Sequence, residues 1–430
     1  MTAAPGDRLD GRIRRHAWQS LVLQGAAVGF LFAMNAVLGR LLGPEQYGRF
    51  SFGLTVAGLA ALAFSLGLPN GVMRFVAEYA ATGRWALLRG VVARTGQWVA
   101  VLALAGAAML LAARAVVPGL GAGAREGLAY AAVMLPLVAL GLWRSRAARG
   151  LERLTVSMLP EEVLVPLAVI AIALAWPLAS AAGAVAAWAA ATAIALAGGT
   201  LWLVAVLPAG IRGVVPEFDG RLWLRVSMPM ILGGLMQLAA NRGEVVLLGL
   251  MRDMTETGVY VGAARIALLG TFALRVVDTY TAPMIAGAFH AGRSDEVRSI
   301  FRRGVAYSAA GAVPLCLIAL LWPEPLLRLF GEAFVPGATV LRILALGQLV
   351  NAVTGPVGFT LLMTGHERLF AGMMTSASAA GLVAGLLVIP VWGGEGAAVV
   401  AASTAAAVNV AMLVAVRRKV LRRGPAEVPR

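Results

Sequence analysis

The chain has 430 residues, of which 60% are hydrophobic and 13% charged, with a mean hydropathy of +0.83. Soluble domains carry about 25% charged residues, so this composition excludes a soluble globular protein and predicts an all-α polytopic membrane protein. The net charge of +15 sits in short segments between apolar blocks, which makes it topological and gives no reason to expect a nucleic-acid partner.

A bilayer core of about 30 Å takes roughly 20 apolar residues per helical pass, and runs of that kind fill the chain. The first, 18–41, follows Arg8, Arg12, Arg14 and Arg15. It is too long for a signal peptide and lacks a small-residue cleavage site, so it is expected to be a retained first span. Further spans are expected at 47–68, 91–113, 127–148, 161–178 and 183–207. "PAGIRGVVPEFDGRLW", from Pro208, then reads as a linker between halves. Beyond it come 226–250, 257–283, 304–322, 337–363, 370–390 and 395–416. The expectation is about 12 transmembrane helices in two six-helix lobes around a central cavity, an N-terminal lobe over 1–212 and a C-terminal lobe over 213–430.

Charge orients the spans. With both termini cytoplasmic, Arg40, Arg49, Arg114, Arg125, Arg252 and Arg328 lie outside, and Arg242, Arg265, Arg275 and Arg342 lie within spans. The other 26 of the 36 basic residues fall inside. That bias predicts a multi-pass protein of the cell (plasma or inner) membrane.

The halves share a pattern. "YGRFSFGLTVAGLAALAFSLGLP…YAATGR" places Gly48 35 residues before Gly83–Arg84, and "TGVYVGAARIALLGTFALRVVDTYTAP…FHAGR" places Gly258 34 residues before Gly292–Arg293. Each copy begins near an acidic outer turn (Glu45, Glu256), meets a proline (Pro69, Pro283) and exits at Gly-Arg. Copies of six helices keep one orientation, as in transporters built from parallel repeats.

Polar residues inside the spans point to function. An arginine or acid at a helix centre costs about 2.5–3.5 kcal/mol on the insertion scale. In "QLAANRGEVVLLGL", Gln237, Asn241, Glu244 and Leu248 form one helical stripe, while Arg242 faces about 200° away from Glu244 at 100° per residue and cannot pair with it. The next helix carries Arg265, with no acid within one turn, and Arg275 with Asp278 at i, i+3, where mutual neutralisation is one of two readings. The tenth carries Arg342 near its outer side, with Gln348 and Asn351 as a deeper polar stripe. Four arginines against two acids leave excess positive charge, and a hydrated cationic cavity for an anion such as phosphate accommodates it. The competing reading is arginines that snorkel or lock the halves together. Arg74 and Glu78, at i, i+4, are expected to pair at the cytoplasmic interface, with Arg74 also placed to meet an entering anion. Glu161 and Glu162 after Pro160 fit a helix start, where acids complement the dipole.

Enzyme chemistry is not expected, and neither is a cofactor or metal. The single cysteine, Cys316, excludes an internal disulfide and a thiolate cluster. His16, His290 and His366 have no second ligand at metal spacing. The sole lysine, Lys419, lies in the tail, so no phosphate-binding P-loop is possible, and no DxD pair is present.

"LLGPEQYGRFSFGLTVAGLAALAFSLGLPNGVMRFVAEY", "AANRGEVVLLGL…TGVYVGAARIALL", "TAPMIAGAFHAGRSDEVRSIFRR" and "VLRILALGQLVNAVTGPVGFTLLMTGHERL" resemble the Wzx-type polysaccharide flippases of the MOP superfamily, which also holds multidrug-and-toxin (MATE) extruders and lipid II flippases. The resemblance implies alternating access and translocation of an undecaprenyl-diphosphate-linked oligosaccharide, an O-antigen (lipopolysaccharide), capsule or exopolysaccharide unit, from the cytoplasmic to the outer leaflet. It places Asn241, Arg242, Glu244 and Arg265 on the cavity wall, with membrane lipids, polysaccharide polymerase and glycosyltransferases as further partners. Glu244 stands where relatives commonly have aspartate, and the first helix offers Asn35 and no acid, unlike the carboxylate site expected of a drug extruder. The chain ends after its twelfth expected span, without the extra helices of lipid II flippases. The rival readings are a multidrug/cation antiporter and a non-transporting scaffold for glycosyltransferases.

Overall fold

The computed structural model describes residues 5–176 and 178–421, without the side chains of 5–21, 232, 233, 235–241 and 273. The side chains of Arg8, Arg12, Arg14, Arg15, His16, Gln237 and Asn241, and the tail residues Arg422, Arg423 and Arg430, therefore lie outside the described set. No strand occurs among the described residues. In chain order the helices are α1 (Pro5–Phe64), α2 (Leu68–Ala81), α3 (Trp85–Val116), α4 (Ala122–Gly150), α5 (Leu154–Met158), α6 (Val165–Ala175) and α7 (Ala181–Val206). After the linker come α8 (Gly220–Ser227), α9 (Pro229–Met251), α10 (Met254–Ala267), α11 (Gly270–His290) and α12 (Ser294–Leu321). The last are α13 (Pro323–Leu327), α14 (Ala338–Thr354), α15 (Val357–Met363) and α16 (Glu367–Val416).

Nine helical segments among the described residues are long and apolar enough to cross a membrane, fewer than the twelve expected. Two of them are folded back on themselves. At Gly43 the backbone adopts φ 68, ψ 172, which glycine reaches without steric cost, and Pro44 starts the next helical turn without needing an N–H partner. As a result the Tyr47 hydroxyl donates to Asn35 Oδ1 at 2.8 Å, although 12 helical residues would separate them by about 18 Å. Gly393 (φ 53) breaks α16 in the same way, and Gly381 packs against Thr404. α9, several of whose side chains are outside the described set, is not among the nine. Two expected boundaries differ. The helix expected to end near 68 breaks at Leu66 and Gly67 (φ 50 and 69) and continues as α2, and the span expected over 257–283 breaks at 268–269 into α10 and α11.

The repeat-matched glycines Gly48 and Gly258 touch. A Cβ on Gly48 would collide with the Met254 carbonyl, and one on Gly258 with the Pro44 carbonyl, each carbonyl belonging to the residue four before the other glycine. Each built Cβ also lies 3.0 Å from the other glycine's amide nitrogen. This reciprocity is the signature of a local two-fold. A second matched pair behaves alike. The Ala181 N–H donates to Gln46 Oε1 at 3.1 Å, and the Gly394 N–H donates to Glu256 Oε1 at 2.7 Å, so positions two before each glycine hold the start of the last helical segment of each half.

The loop after Pro323, expected on the outer side, packs onto the same region. It delivers Phe330 and Phe334, both fully buried, edge-on to Tyr47 at centroid distances of 6.1 and 5.8 Å. The linker is strapped to α3 by Arg89 Nη1 donating to the Val214 carbonyl (2.6 Å) and the Glu217 N–H donating to the Ala86 carbonyl (3.1 Å). Large apolar side chains such as Leu104, Leu174, Ile194, Leu201 and Val391 are exposed around the periphery, as expected of a surface solvated by lipid and not of a water-soluble monomer. The chain is a multi-pass membrane protein.

Candidate functional site

Arg242 on α9, Arg265 on α10 and Arg275 on α11 line one cavity of 170 Å³. Its opposite wall is the first segment of α1, through Val28, Leu31 and Phe32, and its floor is the α10–α11 break with Leu268, Leu269, Thr271 and Phe272. Arg265 is 11 residues from the start of α10, about 16 Å along the axis and close to the middle of a core about 30 Å thick. Arg242 and Arg265 are half-buried and Arg275 is exposed. Arg265 and Arg275 are the charged neighbours of Arg242. Among the described residues no Asp or Glu lines the cavity, and none of their ion pairs includes these arginines. Glu162 lies within Coulomb range of Arg275, but its ion-pair partner is Arg149 at 3.4 Å.

Arg265 and Arg275 flank the interruption at 268–269, where i→i−3 hydrogen bonds such as Leu269 N–H to the Ile266 carbonyl tighten the helix, and both line the cavity with Arg242. Gly270, just past the interruption, sits against Cys316 and Gln348.

Other expected site residues stand elsewhere. Glu244 faces a separate small cleft shared with Leu247, Ser378, Gly381 and Thr404, on the side of α9 away from Arg242 as the helical angle requires. Asn241 is on α9, with its side chain outside the described set. Arg342 is exposed and donates from Nε to the Leu320 carbonyl at 3.3 Å; it ties α14 to α12 and does not line the cavity. Asn351 Nδ2 donates to Gln348 Oε1 at 3.4 Å, so that stripe exists, but neither residue lines the arginine cavity. Arg275 and Asp278 form no ion pair, and Asp278 Oδ1 is buried without a partner. Arg74 and Glu78 are both exposed and unpaired with each other: long side chains in water gain little from holding one geometry.

An interaction that the sequence reading missed lies in the first half. Arg144, assigned there to the cytoplasmic set, is fully buried. Its Nε donates to Glu161 Oε1 at 2.8 Å, its Nη2 to Glu161 Oε2, and its Nη1 to the Val156 carbonyl at 2.6 Å. Glu161 therefore does more than complement a helix dipole. The first half neutralises its buried arginine, whereas the second half leaves three together.

The family described as "Polysaccharide biosynthesis protein" matches residues 15–286. This chain belongs to the polysaccharide biosynthesis protein family. The inward-facing structure of a multidrug resistance MATE family transporter of the MOP superfamily superposes on this family member with a TM-score of 0.74 at 13% identity, covering 91% of this chain and 94% of that one. An outward-facing structure of a MATE family transporter gives 0.56 at 16% identity, with 94% and 95% covered. The lipid II flippase MurJ in an inward closed conformation gives 0.63 at 9% identity, with 92% and 87% covered. At these identities the likeness establishes the fold, that of MOP superfamily transporters and flippases. No curated protein matches the chain.

Proposed function

We propose that this polysaccharide biosynthesis protein is a flippase for a lipid-diphosphate-linked oligosaccharide of the O-antigen, capsule or exopolysaccharide kind, moving it from the cytoplasmic to the outer leaflet. The observation that carries the reading is the cluster of Arg242, Arg265 and Arg275 around one cavity without a carboxylate in its lining. A diphosphate presents several oxygens to such donors, and arginine–phosphate hydrogen bonds are charge-assisted. The sugars are larger than the 170 Å³ beside the arginines, so this cavity takes the diphosphate while the glycan extends into wider space and the lipid tail stays in the bilayer.

In this reading the halves 1–212 and 213–430 act as lobes. The proposed twelve passes rest on nine candidate spans, two of them folded back, together with α9. Both termini are cytoplasmic by the arginine bias. The Gly48–Gly258 contact and the Phe330–Phe334 plug then close the outer side, and rocking of the lobes separates them to release cargo. An inside-negative potential favours outward movement of each net negative charge by about 2.3 kcal/mol per 100 mV.

The second reading, a cation-coupled antiporter of the MATE kind, draws on the 0.74 TM-score and on Glu244 and Asp278, neither joined to an arginine among the described residues. It requires a carboxylate-lined cargo cavity, which this one is not. A non-transporting scaffold requires that the cavity charges be dispensable.

In cells lacking the gene, the double variant Arg242→Gln/Arg265→Gln is expected to restore less than a tenth of surface polysaccharide, since removing two charge-assisted contacts costs about 3 kcal/mol or more. Arg342→Gln, outside the cavity, is expected to restore it fully. Full restoration by the double variant overturns the proposal.

A further inference from the structure

A second cavity, sharing no residue with the arginine site, lies between α3, α4, α7 and the linker and has a volume of 880 Å³. Along α3 it runs from Arg89 to Ala100, and along the antiparallel α7 from Leu207 to Leu196. The ends of each stretch are eleven steps apart, about 16 Å, which is one leaflet of a core about 30 Å thick. Arg89 and Arg212, both exposed, stand at one end, the end that the arginine bias assigns to the cytoplasm. Arg89 is steadied there by its bond to the Val214 carbonyl.

Beyond that mouth the groove is lined mostly by apolar side chains, with Gln97 and Thr200 as its polar members. The Thr200 hydroxyl is turned back onto the Leu196 carbonyl (2.7 Å). Trp143 satisfies its indole N–H on Thr95 Oγ1 at 3.1 Å and presents its ring to the groove. Gly96 lets α3 pack directly onto that ring, since a Cβ there would stand 2.9 Å from it. Val204 opens the wall to the bilayer, as its exposure of 58% requires.

We propose that this groove binds an anionic glycerophospholipid of the inner leaflet, its phosphate on Arg89 and Arg212 and one acyl chain against Trp143. Charge complementarity selects the headgroup: two guanidinium groups at the phosphate level attract a net negative headgroup and gain little from a zwitterion whose ammonium they repel. The one-leaflet length selects a chain anchored at the membrane surface. The site is independent of the transported cargo and places a resident lipid beside the linker that joins the halves.

The test is native mass spectrometry of the full chain in detergent with equimolar phosphatidylglycerol and phosphatidylethanolamine. Wild type is expected to retain phosphatidylglycerol with a preference of about tenfold or more, the contribution of two basic residues at a headgroup. Arg89→Gln/Arg212→Gln, changes at exposed positions, is expected to bring the ratio close to one. Ala93→Trp, which puts a ring into the groove, is expected to lower retention of both lipids. Equal retention of the two lipids by wild type overturns the proposal. So does an unchanged preference in the double arginine variant, and so does displacement of phosphatidylglycerol by an equal amount of polyprenyl diphosphate. The arginine variant decides the matter alone if Ala93→Trp does not fold.

Discussion

Arg242 and Glu244 are two residues apart on one helix and face different surroundings, the arginine toward α1 and Arg265, the acid toward Ser378 and Thr404. Their separation was legible in the sequence because 100° per residue forbids the pair. The gathering of Arg242, Arg265 and Arg275 was legible as a cost, since excess charge in a span must reach water, protein or ligand. Arg342 met the same criterion and misled, because a carbonyl on the neighbouring helix satisfies it, and linear spacing does not register that partner. Arg144 misled the other way. A positive-inside count treats every arginine near a span end alike, so it could not separate one facing the cytosol from one turned inward onto an acid 17 residues later. Breaking a buried pair leaves an uncompensated charge and costs about 3–5 kcal/mol, whereas replacing both members with apolar residues is often neutral. Arg144→Met is accordingly expected to lower the thermal unfolding midpoint in detergent well below wild type, and Arg144→Met/Glu161→Met to recover most of the loss. A double variant as unstable as the single one would mean that Arg144 acts through its carbonyl contacts.

At the scale of elements, glycine and proline marked the turns at Gly43–Pro44 and Gly393, and the expected limits 18–41, 47–68, 370–390 and 395–416 bracket both. The interruption at 268–269 was not foreseen, because both flanks are apolar and periodic. The repeat gives a sharper expectation. Glu256 and Gln46 hold equivalent helix starts through a side-chain oxygen, so the acceptor matters and the charge does not. Glu256→Gln is expected to remain within about 1 kcal/mol of wild type, losing only the partly exposed pair with Arg252. Glu256→Ala leaves the Gly394 N–H without its acceptor and is expected to cost about 1–3 kcal/mol. Thermal unfolding of both variants in detergent checks this, and equal destabilisation would contradict it.

At the scale of the whole molecule, the halves are alike where they meet and unlike where they carry charge. Gly48 and Gly258 exchange equivalent contacts, while one half buries an arginine against its own glutamate and the other gathers three arginines around a cavity. The most direct measurement is transport of a fluorescent polyprenyl-diphosphate oligosaccharide across vesicles containing the purified protein, comparing wild type with Arg242→Gln/Arg265→Gln/Arg275→Gln at equal reconstitution. The account predicts translocation by wild type and a loss of at least about a hundredfold in the triple variant, from three charge-assisted contacts of roughly 1.5 kcal/mol or more each. Translocation by the triple variant at the wild-type rate would contradict it.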